Sequence, residues 1–358
     1  MQPAVCMAYS DRSDGQLSEK IGQMFMIGFR GLEVEENSPV IRDIREGRIG
    51  GVILFDYDVE LQSPLRCVES PGQLKKLISQ LQAASDDTLL VAVDQEGGRV
   101  ARLKEKHGFS PTVSQAWLGD QDDLKLTIGY SSQVAATLYD VGINVNLAPV
   151  VDLDVNPANP VIGGLERSFS PDPLTVARHA AEVIISHRAH NVLTALKHFP
   201  GHGSSAHDTH LGFTDVTETW SPEELIPYIE LIQSPGAEMI MTAHVFNSHL
   251  DPVWPATLSR KTLNDLLRDK MGYNGVIISD DMQMGAIRQE YDLETALERT
   301  ILAGTDIIIF GNNLVYEEGI AKKAQDIILE LVREERIPAS RIQESYERIT
   351  ALKKKLGT

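Results

Sequence analysis

Four of the ten histidines of this chain fall in one segment, Lys197-His198-Phe199-Pro200-Gly201-His202-Gly203-Ser204-Ser205-Ala206-His207-Asp208-Thr209-His210. Asp208 and His210 stand two apart, so an extended or turning loop can aim both side chains the same way. A carboxylate bonded to one ring nitrogen fixes the tautomer and raises the basicity of the other, which is the arrangement of a general acid/base. His198, His202, His207 and His210 could also ligate a metal. Against that, the chain has no His-Glu-x-x-His run and Cys6 and Cys67 are its only cysteines, so no metal is expected.

Two further constellations are acidic. Ser279-Asp280-Asp281-Met282 closes an apolar run. Adjacent strand residues point to opposite faces, so at most one of the two acids is expected to face a common site. Asp280 follows the apolar run directly, and Asp281 is placed to steady its neighbour or to cap the next helix. A carboxylate nucleophile beside a proton donor suits cleavage through an oxocarbenium-like transition state. The third constellation, Asp94-Gln95-Glu96-Gly97-Gly98-Arg99-Val100-Ala101-Arg102, combines a glycine turn with groups that bond hydroxyls directionally. It is not a phosphate loop, having neither Gly-x-Gly-x-x-Gly nor Gly-Lys-Ser/Thr.

These residues need elements to hold them. Eight short apolar runs recur, at 24–29, 51–55, 89–93, 143–150, 192–199, 238–245, 275–280 and 306–310. They are continuous rather than alternating, as strands covered on both faces are. Helical periodicity fills the gaps: 72–84, 173–190 behind the start signal Ser170-Pro171-Asp172, a segment opened by Ser221-Pro222-Glu223-Glu224, and amphipathic stretches at 316–333 and 340–356. Parallel strands require crossover helices, so the pattern predicts an α/β fold, a single (β/α)8 TIM-type barrel with extra C-terminal helices. An open doubly wound sheet is the other arrangement it allows. Several runs end in polar residues, namely Asp56, Asp94, Asp152, Lys197-His198, His244 and Asp280, and barrel catalysis sits at the carboxyl ends of strands. Long connections stand out at 56–71 and 94–142.

Composition narrows the function. The 358 residues hold 33 Lys+Arg against 51 Asp+Glu, a formal charge of −18, which speaks against an electrostatic grip on nucleic acid or an anionic membrane. With 42% hydrophobic residues the chain can bury a full core without disulfides. No apolar run approaches the roughly 20 residues that span a bilayer. The first ten residues lack the basic and apolar regions of a secretion signal. Residues 1–18 are therefore expected to be a disordered lead-in or signal remnant, and 19–358 one catalytic domain. A cytoplasmic location is the expectation, with a periplasmic one if a signal has been lost upstream. Oligomeric state is not readable.

The Lys197-His-Phe-Pro-Gly-His-Gly run with Asp208-x-His210 following resembles the signature of glycoside hydrolase family 3, in its β-N-acetylhexosaminidase branch. Asp94-Gln-Glu-Gly-Gly-Arg, Gly164-Leu-Glu-Arg167-Ser-Phe, Met241-Thr-Ala-His244-Val and Ser279-Asp280-Asp281-Met282 occur in the family order, and together they span about residues 20 to 350. The resemblance implies Asp280 as nucleophile, His210 as acid/base with Asp208 as its partner, and Asp94, Arg102, Arg167, Lys197 and His198 in the sugar pocket. It implies a retaining exo-β-N-acetylglucosaminidase acting on a small carbohydrate, with muropeptides as the expected source, and no cofactor. A β-N-acetylglucosaminide phosphorylase or a β-glucosidase is the alternative within the family, and an inactive sugar-binding barrel the alternative outside catalysis. Met282-Gln283-Met284 departs from the Leu-Ser-Met type of run common there, and the 56–71 connection is longer than in the shortest members.

Overall fold

The computed structural model describes residues 15–233 and 236–357. Eight of its strands are β1 (Phe25–Gly28), β2 (Gly51–Leu54), β3 (Leu90–Val93), β4 (Val145–Asn146), β5 (Leu193–Phe199), β7 (Met239–Thr242), β9 (Val276–Asp281) and β10 (Ile307–Phe310). They form one closed barrel in the order β1-β10-β9-β7-β5-β4-β3-β2, every pairing parallel. All eight apolar runs thus become barrel strands, and the open sheet is excluded. Every residue of β1, β2, β3, β5, β7 and β10 is buried, which is why those runs carry no polar alternation. A separate parallel pair, β6 (Thr214–Asp215) with β8 (Val245–Phe246), lies outside the barrel and was not foreseen. Two-residue strands leave too little periodicity to detect.

The helices begin where polar caps allow. Ser70 Oγ accepts from the Gln73 amide at 3.2 Å to open Pro71–Ala83, and Asp172 accepts from Thr175 at 2.8 Å to open Pro173–Arg188. The 94–142 connection is long because it carries two helices, Gln115–Gln121 and Leu124–Val141. Ile320–Arg333 and Ala339–Lys354 are the expected C-terminal helices. Among the described residues no helix is long and apolar enough to cross a membrane. The expected lead-in lies outside the described residues up to position 14. Residues 15–18 are not disordered: they open a helical stretch to 23, because Leu17 packs on the core and Gln325 Nε2 donates to the Ser18 carbonyl at 2.8 Å.

The amino end of β10 fastens the C-terminal helices to the base of the barrel. Asp306 is fully buried and accepts from Arg268 (2.7 Å), Arg341 (3.0 Å), Arg348 (3.2 Å), Ser345 (2.9 Å) and the Ile277 amide (3.0 Å). Removing one partner of a buried charge network strands the others. Asp306→Ala is therefore expected to destabilise the fold by about 3–5 kcal/mol, read as a lowered urea midpoint. An unchanged midpoint would mean that solvent already supplies what the carboxylate does.

Candidate active site

The carboxyl ends of the strands open into a cleft of about 390 Å³. Asp94, Arg102, Arg167, Lys197, His198, His210 and Asp280 all line it, with Asp56, Lys104 and Asn313 on its walls. Of the eight site residues singled out in the sequence, Asp208 alone is not on the lining. It stands behind His210, its carboxylate accepting from both the His210 amide (2.8 Å) and Nδ1 (2.7 Å). The bond to Nδ1 leaves Nε2 as the free ring nitrogen. Burial alone would lower the His210 pKa, but the bond to Asp208 and the Asp280 charge outweigh it and hold the imidazole above its ordinary value. The ring remains 48% exposed, so solvent reaches it.

Asp280 sits at the end of β9. Burial would raise its pKa, yet the neighbouring His244, His198 and His210 keep it below the usual carboxylate range. One of its oxygens accepts from the Asp281 amide at 2.8 Å. Asp281 also borders the cleft, contrary to the expectation that at most one of the two acids would. The register between β9 and β10 shifts between Ile307 and Ile309, and such an irregularity breaks strict alternation. The two acids differ nonetheless. Asp281 accepts from the amides of Gln283 (3.0 Å) and Gly311 (2.9 Å), and burial pushes it up to about 6. Neighbouring carboxyl groups whose surroundings push their pKa values apart can take different roles.

The opposite wall is an ion network. Lys197, at the end of β5, is buried between Asp94 (2.9 Å) and Glu96 (2.7 Å). Arg167 meets Glu96 through two bonds of 2.8 and 2.7 Å, and Arg102 reaches Asp94 at 3.2 Å. Burial would raise the Asp94 pKa, but Lys197 and Arg102 hold it far below the usual range, so it is an ionised acceptor for hydroxyls. The hairpin carrying Arg102 is pinned by Gln95, whose side chain accepts from the Arg102 and Leu103 amides, both at 2.9 Å. Its turn needs glycine: Gly97 and Gly98 have φ of 104° and 57°, and a Cβ on Gly97 would lie 2.2 Å from the Val113 carbonyl oxygen.

Several supporting groups lie behind the lining. Asp152 is buried and accepts from His198 Nδ1 (2.7 Å), the His198 amide (3.1 Å) and the His202 amide (2.8 Å). That fixes the His198 ring, whose Nε2 faces Arg167 at 3.3 Å. His202 is buried between Ser205 and Thr209, and burial pushes it down to about 4, so it is neutral. His244 donates from Nε2 to the Asp281 carbonyl at 3.0 Å. Asp152 and His244 were noted as strand-end residues, but they steady the site rather than line it. Glu96 was quoted in its motif without a role. Its spacing of two from Asp94, which puts both on one side, was the available signal. Among the described residues no group of three or more His, Cys, Asp or Glu side chains is placed to hold a metal.

A half-buried ionised aspartate and a carboxylate-backed imidazole on one sugar-sized cleft, with fixed charges able to bond hydroxyls, make a site of the kind that could handle glycosides. The profile of the glycosyl hydrolase family 3 N-terminal domain matches residues 16–352, and the chain belongs to that family. It is 31% identical to β-hexosaminidase A of Pseudoalteromonas piscicida, over 95% of this chain and 61% of that protein. It is 35% identical to a β-hexosaminidase of Nitrosomonas eutropha, over 74% of each. A family 3 β-N-acetylglucosaminidase from Paenibacillus sp. FPU-7 superposes with a TM-score of 0.86 at 34% identity, covering 95% of this chain and 62% of that one. The β-N-acetylhexosaminidase of Beutenbergia cavernae gives 0.83 at 29%, covering 94% and 98%. The chain thus spans under two thirds of the Pseudoalteromonas and Paenibacillus proteins.

Proposed function

We propose that this chain is a retaining exo-β-N-acetylglucosaminidase that releases terminal N-acetylglucosamine from a small glycoside. The observation that carries the proposal is the convergence of Asp280 and the Asp208-backed His210 on one cleft at the barrel mouth. The names of the relatives support the choice of sugar. In the first step Asp280 attacks the anomeric carbon while protonated His210 gives its proton to the leaving oxygen. In the second, water attacks the glycosyl–Asp280 ester, neutral His210 takes a proton from that water, and Asp280 departs as the carboxylate. Asp94, Lys197, Arg102, Arg167 and His198 hold the sugar hydroxyls. Peptidoglycan fragments, processed in the cytoplasm, are the proposed natural source.

A panel of aryl glycosides tests the proposal. Aryl β-N-acetylglucosaminide is expected to be cleaved and aryl β-glucoside to be cleaved far less, with turnover unaffected by added phosphate. Preference for the glucoside would overturn the choice of sugar. Acceleration by phosphate, with sugar phosphate as product, would make the chain a phosphorylase.

A further inference from the structure

His210 and Asp280 come from different parts of the barrel, one on the loop after β5 and the other at the end of β9. The short helix Gly285–Arg288, which starts a few residues beyond Asp280, joins them. The Gly285 amide donates to the His210 carbonyl and the Ala286 amide to the Thr209 carbonyl, both at 3.1 Å. Gln289 Nε2 donates to the Leu211 carbonyl, also at 3.1 Å. Three successive carbonyls of the histidine loop are thereby taken up by one element. The first two bonds use amides that a helix start leaves without an internal partner, so the loop completes the helix as the helix holds the loop.

The contact explains a glycine that dihedral angles do not. Gly285 lies outside the positive-φ region, and alanine forms helix better than glycine by about 1 kcal/mol. A Cβ at 285, however, would stand 2.7 Å from the Leu211 carbonyl carbon and 2.8 Å from both the Gly212 nitrogen and the His210 carbonyl oxygen. These are backbone atoms and cannot swing aside. The base of the loop is held separately, by the His202 amide on Asp152 (2.8 Å) and the Gly203 amide on Glu224 (3.0 Å). Thr209 Oγ1 also meets His202 Nε2 at 3.2 Å. The Gly285 seam ties residues 209–211 to the short helix that follows Asp280 in the chain.

We propose that Gly285 and Gln289 are positioning residues for His210, setting the imidazole at its working distance from the Asp280 carboxylate. The proposal rests on the reading of His210 as proton donor. A donor displaced by an ångström loses most of its advantage, whereas chemistry that needs no donor is indifferent to it.

The test compares Gly285→Ala and Gln289→Ala with His210→Ala, on an alkyl β-N-acetylglucosaminide and on a dinitrophenyl one whose leaving group needs no proton. Gly285→Ala is expected to lower kcat/KM on the alkyl substrate by about 10²-fold, and Gln289→Ala by about tenfold. Both should leave the dinitrophenyl substrate nearly unaffected. The alkaline limb of the kcat/KM profile should also move to lower pH, because an imidazole farther from the Asp280 charge holds its proton less well. Equal loss on the two substrates, or an unmoved limb, would reduce the seam to a structural contact and overturn the proposal. If Gly285→Ala fails to fold by circular dichroism, Gln289→Ala decides alone. If His210→Ala itself does not discriminate between the substrates, the proton-donor reading fails, and the positioning role falls with it.

Discussion

Asp280→Asn is expected to lower kcat by roughly 10⁴-fold or more, the scale on which removal of a covalent nucleophile is felt. The amide keeps the shape of the carboxylate and removes its charge, so lost chemistry rather than lost packing is measured. In the wild-type enzyme a 2-fluoro sugar with a good leaving group should accumulate as an ester on Asp280, seen by mass spectrometry of the peptide. In Asp280→Ala, azide is expected to restore turnover by attacking the face the carboxylate vacates, giving the α-glycosyl azide. The competing chemistry, in which the substrate's own acetamide attacks the anomeric carbon, predicts no label on Asp280.

His210→Ala is expected to separate substrates by leaving group. For alkyl or sugar leaving groups the loss in kcat/KM should be about 10²–10⁴-fold, the usual worth of a positioned general acid. For dinitrophenyl it should be small, since that anion leaves unprotonated. The pH profile carries the same information. In the proposed mechanism His210 is protonated in the first step, and its pKa is raised, so the alkaline limb of kcat/KM should lie above the ordinary histidine value of about 6.5. The same mechanism requires Asp280 to be ionised, and its pKa is depressed, so the acid limb should lie below the ordinary aspartate value of about 3.9. Asp208→Asn removes the carboxylate bonded to Nδ1 and should shift the alkaline limb downward. A limb that stayed in place would detach Asp208 from the proton transfer.

Much of this molecule could be read from local sequence. The eight barrel strands announce themselves because burial on both faces makes each a continuous apolar run, and Asp280 stands out as the acid that ends one. The Asp208-x-His210 pair is legible because its two members are neighbours in the chain. What escapes is pairing over distance. Lys197 meets Asp94 across 103 residues and Arg167 meets Glu96 across 71, so nothing local tells which acid holds which base. Asp152 is visible as a strand-end acid, yet its hold on His198 and His202 appears only once β5 lies beside β4. The 56–71 connection is similar. It looks like a polar loop, but Asp58 is buried there between Arg30 and Arg66, each at 2.6 Å, and Arg66 reaches on to the Asn312 carbonyl at 2.6 Å. Asp281 went astray for another reason, since strict alternation was assumed where the strand register slips.

The pairing of β1 with β10 also bears on how the protein is made. The first strand cannot gain its second neighbour until Ile307–Phe310 have left the ribosome, about 280 residues after it, and until then the ring stays open along that edge. Asp94 and Asp280 therefore share a finished cleft only once β10 has been made. A product terminated before β10 would display unpaired edges on β1 and β9 and leave the cleft without its closing strand.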